Sequence, residues 1–366
     1  MATTFDPCLF VGNVSALHPV ADDTRLYISV YVDDIVLFGP ECPQADQLIE
    51  QLKKEFEITD LGVASWLLGL QITYDENGIH LSQTSYIKKI LERFGMASAR
   101  SVMTPMDSAT KCPTVPRSGP DNAASSVDQE VDNTLYRSII GSLAYASTGT
   151  RPDLTFTVTY QSQFLVSPKP EYMNAARRVL KYLLKTIDWD LLYPYTSENA
   201  RHPFALEGYV DSSWGACPLT TRLHMGYMFR LAGCTISWKA RKQRSVTTST
   251  TEAEYMAMSL GAKQMMWYKQ GLKELAVVTD NPSETDIPMA LRSDSQGAID
   301  LANNLRISDR SRDIDIQYHY TRERLLAGDF SLVYVTTQNN LADIYTKALT
   351  KDTHYRLSTM IRSQEK

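Results

Sequence analysis

Residues 208–215 read GYVDSSWG, residues 251–257 TEAEYMA, residues 292–299 RSDSQGAI and residues 339–349 NNLADIYTKAL. Each segment places an acidic residue at the edge of an element that the pattern predicts. Tyr209-Val210 close a short apolar run, so Asp211 stands at a strand end. Leu291 to Ser293 lead to Asp294 in the same way, with a helix-like SQGAIDLANN behind it. Asp343 falls near the start of a helix expected from about Leu341 to Leu349. Asp211, Glu254, Asp294 and Asp343 are scattered in sequence, and four carboxylates have little reason to meet unless a cation holds them. Hard oxygen donors without paired His or Cys suit Mg²⁺ or Mn²⁺ rather than zinc. Two such ions about 3.5–4 Å apart serve in-line attack on a phosphodiester.

The sequence around these acids predicts a mixed α/β sandwich. YVDSSWG, MGYMFRLAG (225–233) and CTISWKA (234–240) are strands joined by tight turns, followed by a long helix from about Thr251 to Leu275. Glu252 and Glu254 compete for the helical carboxylate, and two residues apart they lie about 200° around the helix. Glu254 shares its face with Met258, Gly261 and Met265, which points inward; Glu252 stacks with Met256, Ser259 and Lys263 on a wetter face. Lys239, Arg241, Lys242 and Arg244 form a basic run with Trp238 placed to pack beneath it. A phosphate-binding role and a solvated loop are both open for that run.

The order Asp, Glu, Asp, Asp along strand, helix, strand-to-helix and final helix resembles ribonuclease H. The phrases ISWKARKQRSVTTSTTEAEYMA, DIDIQYHYTRERL and NNLADIYTKAL are more specifically similar to the ribonuclease H of copia-type LTR retrotransposons. That resemblance implies a ribonuclease H-like mixed-sheet domain over 201–350, with Asp211, Glu254, Asp294 and Asp343 as catalytic metal ligands for two Mg²⁺ or Mn²⁺ ions. It also implies an RNA–DNA hybrid as substrate, with hydroxyls near residues 247–251 sensing 2′-hydroxyl groups. Related elements often have a second Asp where Ser213 stands here, a Ser/Thr-rich turn where residues 222–225 read RLHM, an acid at Cys217 and a base at Asp313. Asp300, Asp313 and Asp315 are expected to be structural or surface residues. His319 is open between tuning product release and a satisfied, partly buried position.

Composition sets the frame. The 366 residues are 43% hydrophobic and 22% charged, ordinary for a globular chain of two or three domains. A net charge of −5 does not announce nucleic-acid binding, which must rest on local basic patches. Cys8, Cys42, Cys112, Cys217 and Cys234 are isolated, which argues for a reducing compartment and against a disulfide framework. The absence of a long apolar run or a signal-like start gives the expectation of an intracellular, cytoplasmic protein.

Earlier in the chain, residues 26–38 (LYISVYVDDIVLF) suggest two buried strands with Asp33-Asp34 at the hairpin tip. An acidic pair there can ligate a metal or simply make the turn. The word YVDD (31–34) matches the palm motif of reverse transcriptases. The helical residues 44–56, the hairpin with Glu76-Asn77-Gly78 as its turn and the helix from Thr84 to Phe94 resemble the end of a copia-type polymerase palm. Such a polymerase needs a further Asp on an earlier palm strand; Asp6, Asp22 and Asp23 sit in no comparable context. The polymerase half is therefore expected to be truncated and inactive alone, with Asp33 and Asp34 an incomplete metal site.

Residues 104–134, rich in Pro, Ser, Asp and Ala, are expected as a linker. Order resumes over 135–200 with helical stripes Ile139, Leu143, Ala146 and Met173, Ala176, Val179, Leu180, Leu183, separated by a break at residues 150–153. Arg177, Arg178, Lys181 and Lys185 line the polar side of the second helix, open between a solvated face and the nucleic-acid track that the thumb/connection resemblance implies. The expected division is thus 1–103 partial palm, 104–134 linker, 135–200 thumb/connection, 201–350 ribonuclease H and 351–366 tail. Expected partners are an RNA–DNA hybrid or template-primer and other Pol segments, within virus-like particles. Two rival readings remain: a non-catalytic relic that at most binds nucleic acid, and an integrase or transposase, which would lack the helical Glu254.

Overall fold

A computed structural model describes residues 2–13, 25–39, 42–108, 131–195, 205–213, 224–243, 249–275, 289–303 and 315–363. Arg244, Cys112, Cys217, Asp22, Asp23, Asp313 and most of the expected linker lie outside these residues. In chain order come β1 (Leu9–Asn13), β2 (Arg25–Tyr31), β3 (Asp34–Phe38), α1 (Pro43–Glu55) and the two-residue β4 (Trp66–Leu67). Next are β5 (Leu70–Tyr74), β6 (Gly78–Ser82), α2 (Thr84–Arg93), α3 (Asn133–Gly149), α4 (Thr155–Gln161), α5 (Pro170–Lys185) and β7 (Leu191–Pro194). The remainder holds β8 (Leu206–Ser213), β9 (His224–Leu231), β10 (Cys234–Lys242), α6 (Thr250–Glu274) and β11 (Met289–Ser293). It closes with α7 (Gln296–Asn303), α8 (Asp315–Leu326), β12 (Ser331–Tyr334) and α9 (Lys351–Ile361). Contacts divide the chain into two units, Met1–Leu68 with Met266–Asp286, and Gly69–Met265 with Ile287–Lys366.

In the first unit β1, β2 and β3 form an antiparallel sheet in that order. Tyr31 pairs with Asp34, leaving Val32-Asp33 as a two-residue turn. Such turns favour Asn, Asp or Gly because their residues need positive φ; here Val32 takes φ 53°, an uncomfortable place for a β-branched side chain. The expectation of buried strands is corrected. Of β2 and β3 only Leu26 is buried, while Tyr31, Val32, Ile35 and Phe38 are 60%, 82%, 41% and 49% exposed. An unbroken apolar run reads as buried on both faces only if something covers both, and among the described residues nothing does. The unit also includes the last turns of α6. The Glu274 carboxylate accepts the Thr4 and Phe5 amides at 2.6 and 2.8 Å, and the Phe5 ring lies 4.2 Å from Trp267.

The second unit has two layers of apolar packing. Residues of α2, α3, α4 and α5 share one core built on Ile87, Leu91, Ile139, Leu143, Val179 and Leu183, so both predicted helical stripes are buried. At the break between α3 and α4, Arg151 and Asp153 are buried together. The guanidinium donates to both Asp153 oxygens at 2.9 and 2.7 Å, to the Thr186 carbonyl at 3.0 Å and to the Thr186 hydroxyl at 2.6 Å. Tyr182 donates to Asp153 at 2.6 Å. A buried ion pair is tolerable only when its lone pairs and protons are matched in this way.

The larger sheet has the order β10-β9-β8-β11-β12. β8, β9 and β10 are antiparallel neighbours, whereas β11 runs parallel to both β8 and β12. This is the mixed-sheet α/β arrangement expected for the region. α6 closes on one face because Gly261 has no side chain: a Cβ there would lie 2.5 Å from Val210 Cγ1. The other face packs Tyr209, Met228 and Ala240 against Leu341, Ile344, Tyr345, Leu357 and Ile361. Lys351–Ile361, expected as tail, is therefore a helix with a buried stripe.

Candidate metal centre

Parallel strands end at the same edge of a sheet, and at the carboxyl ends of such strands a crevice opens. Asp211 lies near the end of β8, and Asp294 follows directly on β11, its parallel neighbour. Glu254 is in the first turns of α6, on the face shared with the buried Met258 and Met265, as its helical phase requires. Ligand oxygens of Asp211, Glu254 and Asp294 all lie within 4.8 Å of one another. Asp343 arrives from the 3₁₀ turn Leu341–Tyr345. That turn reaches β8 across Gly226, which pairs with Asp211; a Cβ at Gly226 would lie 2.5 Å from Tyr345 Cβ.

The helix expected from Leu341 to Leu349 is not continuous, and the reason lies in bonds to β8. The Thr346 hydroxyl donates to the Asp211 carboxylate, and Ser213 donates to the Thr346 carbonyl at 2.8 Å, taking the acceptor that a further helical turn would have used. Asn340, fully buried, donates to Asp294 at 3.1 Å and to the Val210 carbonyl at 3.0 Å, tying β8 to the Asp294 turn. Lys347 stands 2.8 Å from Asp343 and 3.9 Å from Asp211. Asn340, Thr346 and Lys347 were not singled out from sequence, although all three lie in the NNLADIYTKAL phrase; Lys347 follows Asp343 at helical i+4 spacing.

The electrostatics follow from this crowding. Burial, then the neighbouring Asp211 charge, pushes the Glu254 carboxyl up to about 8. Burial and Asp211 likewise raise Asp343 to about 7, with Lys347 pulling the other way. Asp211 also sits above the ordinary carboxylate range, chiefly through burial. Burial pulls Lys347 down, but the three aspartates outweigh it and its ammonium is held charged. Glu254 Oε2 is buried without a hydrogen-bond partner. Excess negative charge, an orphaned carboxylate oxygen and a donor set made only of oxygen fit a hard divalent cation.

The remaining candidates fall elsewhere. Asp33 and Asp34 are both exposed at the β2–β3 tip, and among the described residues no third carboxylate, His or Cys joins them at ligand distance. Lys239 is exposed; Arg241 and Lys242 are half-buried, and the Lys242 ammonium donates to Gln163 at 2.5 Å. Trp238 donates to the Ser147 carbonyl of α3 at 2.8 Å, so its ring is docked on the helical layer. Arg177 is exposed and Lys181 half-buried, whereas Arg178 donates to Thr104 at 3.0 Å and holds the 102–106 segment against α5. Asp300 is exposed on α7 and accepts from Gln296 at 2.8 Å. His319 is exposed on α8, not partly buried.

Residues 16–108 match the family model described as reverse transcriptase (RNA-dependent DNA polymerase). The retrovirus-related Pol polyprotein from transposon TNT 1-94 of Nicotiana tabacum is 32% identical over 359 residues, 96% of this chain and 25% of that protein. The putative transposon Ty5-1 protein of Saccharomyces cerevisiae is 33% identical over 254 residues, 69% of this chain and 78% of that protein. The chain belongs to the Pol proteins of retrovirus-related transposons. It spans about a quarter of the length of the tobacco Pol polyprotein. Among solved structures, RNase H1 of Halobacterium salinarum NRC-1 aligns with a TM-score of 0.29 at 16% identity, over 39% of this Pol chain and 94% of that one. Among the described residues no helix is long and apolar enough to cross a membrane.

Proposed function

We propose that this Pol chain is a divalent-ion-dependent nuclease that hydrolyses the RNA strand of RNA–DNA hybrids, of the copia-type ribonuclease H kind. The observation behind this reading is the meeting of Asp211, Glu254 and Asp294 within 4.8 Å, with Asp343 linked to them through Lys347. The chemistry that Mg²⁺ or Mn²⁺ supplies when bound there is Lewis-acid activation of water and charge neutralisation at the scissile phosphate, leaving 5′-phosphate and 3′-hydroxyl ends. The chain's own residues do the positioning. Thr346 fixes one oxygen of Asp211, Asn340 fixes Asp294, and Glu254 offers its unpartnered Oε2. Ser249 accepts the Glu252 amide at 3.2 Å at the start of α6, and the hydroxyls of Ser249, Thr250 and Thr251 are the described members of the 247–251 run proposed to sense 2′-hydroxyls. Among the described residues of the basic set, Lys239, Arg241, Arg177 and Lys181 are the cations offered to phosphates.

The domain reading proposed from sequence goes with this: a palm segment, a linker, a thumb/connection region and a nuclease domain, acting in the cytoplasm with other Pol segments. Among the described residues no further ligand joins Asp33 and Asp34, and the isolated chain is expected not to extend a primer. The test is incubation of the purified chain with a labelled RNA–DNA hybrid and Mg²⁺ or Mn²⁺, beside Asp211→Asn and Asp294→Asn. Cleavage of the RNA strand alone, lost in both variants, is expected. A folded chain that binds the hybrid without cutting it is instead the non-catalytic relic.

A further inference from the structure

Lys347 sits inside the acidic cluster. Its ammonium is 2.8 Å from Asp343 and 3.9 Å from Asp211, whose side chains are 6% and 3% exposed. The residue before it is fixed: Thr346 is bonded through its hydroxyl to Asp211 and through its carbonyl to Ser213. The geometry divides the cluster. Asp211 shares one neighbourhood with Glu254 and Asp294, a set from which Asp343 is absent, and a second with Asp343 across Lys347. The lysine thus occupies the edge where a second cation would be held between Asp211 and Asp343.

We propose that Lys347 is a built-in competitor for that second cation position. A divalent ion enters first among Asp211, Glu254 and Asp294; one reaches the Asp211–Asp343 edge only as the Lys347 ammonium leaves it. The ammonium and a divalent ion contend for the same Asp211 and Asp343 oxygens at that edge, and their mutual repulsion adds to the contest. Departure is feasible because the Lys347 side chain is 37% exposed, on a flexible stem whose ammonium hydrates well. The two ion positions are therefore unequal, and the weaker one is set by the lysine. A phosphodiester reaching the site offers the displaced ammonium a new partner, which couples filling of the weaker position to substrate.

This inference rests on the reading of the four carboxylates as an ion site, but its test needs no cleavage. Mn²⁺ bound to the full chain is counted from the free-ion electron paramagnetic resonance signal, without nucleic acid, for wild type, Lys347→Met, Lys347→Gln and Lys347→Arg. Each variant's melting in EDTA is recorded first, and the two neutral variants back each other up in case one does not fold. The wild type is expected to show a tight and a weak site, and each neutral variant to tighten the weak one by about tenfold while the tight one stays within about twofold. Lys347→Arg is expected to keep the gap. In an Asp343→Asn background the weak site is lost and Lys347→Met changes nothing, which separates a local contest from a general change in charge. Equal sites in the wild type, or a weak site untouched in folded neutral variants, would overturn the proposal. A chain that binds Mn²⁺ as described yet never cuts a hybrid keeps this inference and loses the nuclease reading; one that cuts but shows no effect of Lys347 does the reverse.

Discussion

Two acidic motifs in this chain are equally plain to the eye, and the structure treats them oppositely. Asp33 and Asp34 stand on a hairpin whose strands are half open to water, and no third ligand joins them among the described residues. Asp211, Glu254, Asp294 and Asp343 come from a strand, a helix, a strand end and a 3₁₀ turn, and converge with Asp211 and Asp343 buried and Glu254 and Asp294 half-buried. In water an adjacent pair of carboxylates repels weakly and has no need of a cation. At the second site burial first, and then the neighbouring Asp211 charge, pushes Glu254 up to about 8 and Asp343 up to about 7. Convergence and burial, not the number of acids in a row, make the difference between a turn and a candidate ion site.

The sharpest way to break this comparison is to neutralise one acid in each place. Asp211→Asn is expected to lower hybrid cleavage by roughly three orders of magnitude or more, the scale seen when an anchoring catalytic group is removed. Asp33→Asn and Asp34→Asn are expected to leave cleavage within about twofold. Single-turnover rates at saturating Mg²⁺ decide it; equal losses in both places would dissolve the distinction.

The next largest effect concerns the frame behind the second site. Asp153→Asn leaves Arg151 buried and without its countercharge, and is expected to cost about 3–5 kcal/mol in urea unfolding. No single polar substitution among the exposed residues of β2 and β3 should approach that.

Much of this was legible in the residues themselves. The strands that carry Asp211 and lead to Asp294 followed from short apolar runs, although β8 runs past Asp211 to Ser213, and helical phase chose Glu254 over Glu252 because Met258, Gly261 and Met265 lie beneath it. The stripes of α3 and α5 were visible for the same reason. Two things were not. Residues 26–38 are apolar enough for a buried hairpin, but burial depends on what covers a strand, which no local pattern encodes. The region after Asp343 has helical composition, yet Thr346 and Ser213, 133 residues apart, bond to each other and end the turn. The roles of Asn340 and Thr346 are likewise tertiary, through Asp294 and Asp211, whereas Lys347 stands four residues after Asp343, a spacing that could have been read.

Smaller effects refine the contrast. Val32 holds a left-handed turn conformation that glycine adopts freely, so Val32→Gly is expected to stabilise the first hairpin by about 1 kcal/mol. Slower hydrogen exchange at the Tyr31 and Asp34 amides is the readout. In the second unit His80 lies 2.8 Å from Asp190 and 3.2 Å from Asp75. Burial lowers its basicity, but the two carboxylates outweigh burial and raise it above the ordinary 6.5. The stabilisation from protonated His80 is therefore complete below pH 6.5 and fades as pH rises through the raised folded-state value. His80→Gln is expected to remove this dependence, about 1 kcal/mol or less, as read by urea unfolding between pH 6 and 9. A wild-type stability that climbs over that range would reverse the sign.

The most direct measurement is anomalous diffraction from crystals of the chain soaked in Mn²⁺. The expected result is a peak among the oxygens of Asp211, Glu254 and Asp294, and none at Asp33 and Asp34. A peak at the hairpin tip with nothing among the three clustered carboxylates at saturating Mn²⁺ would contradict the account at its centre.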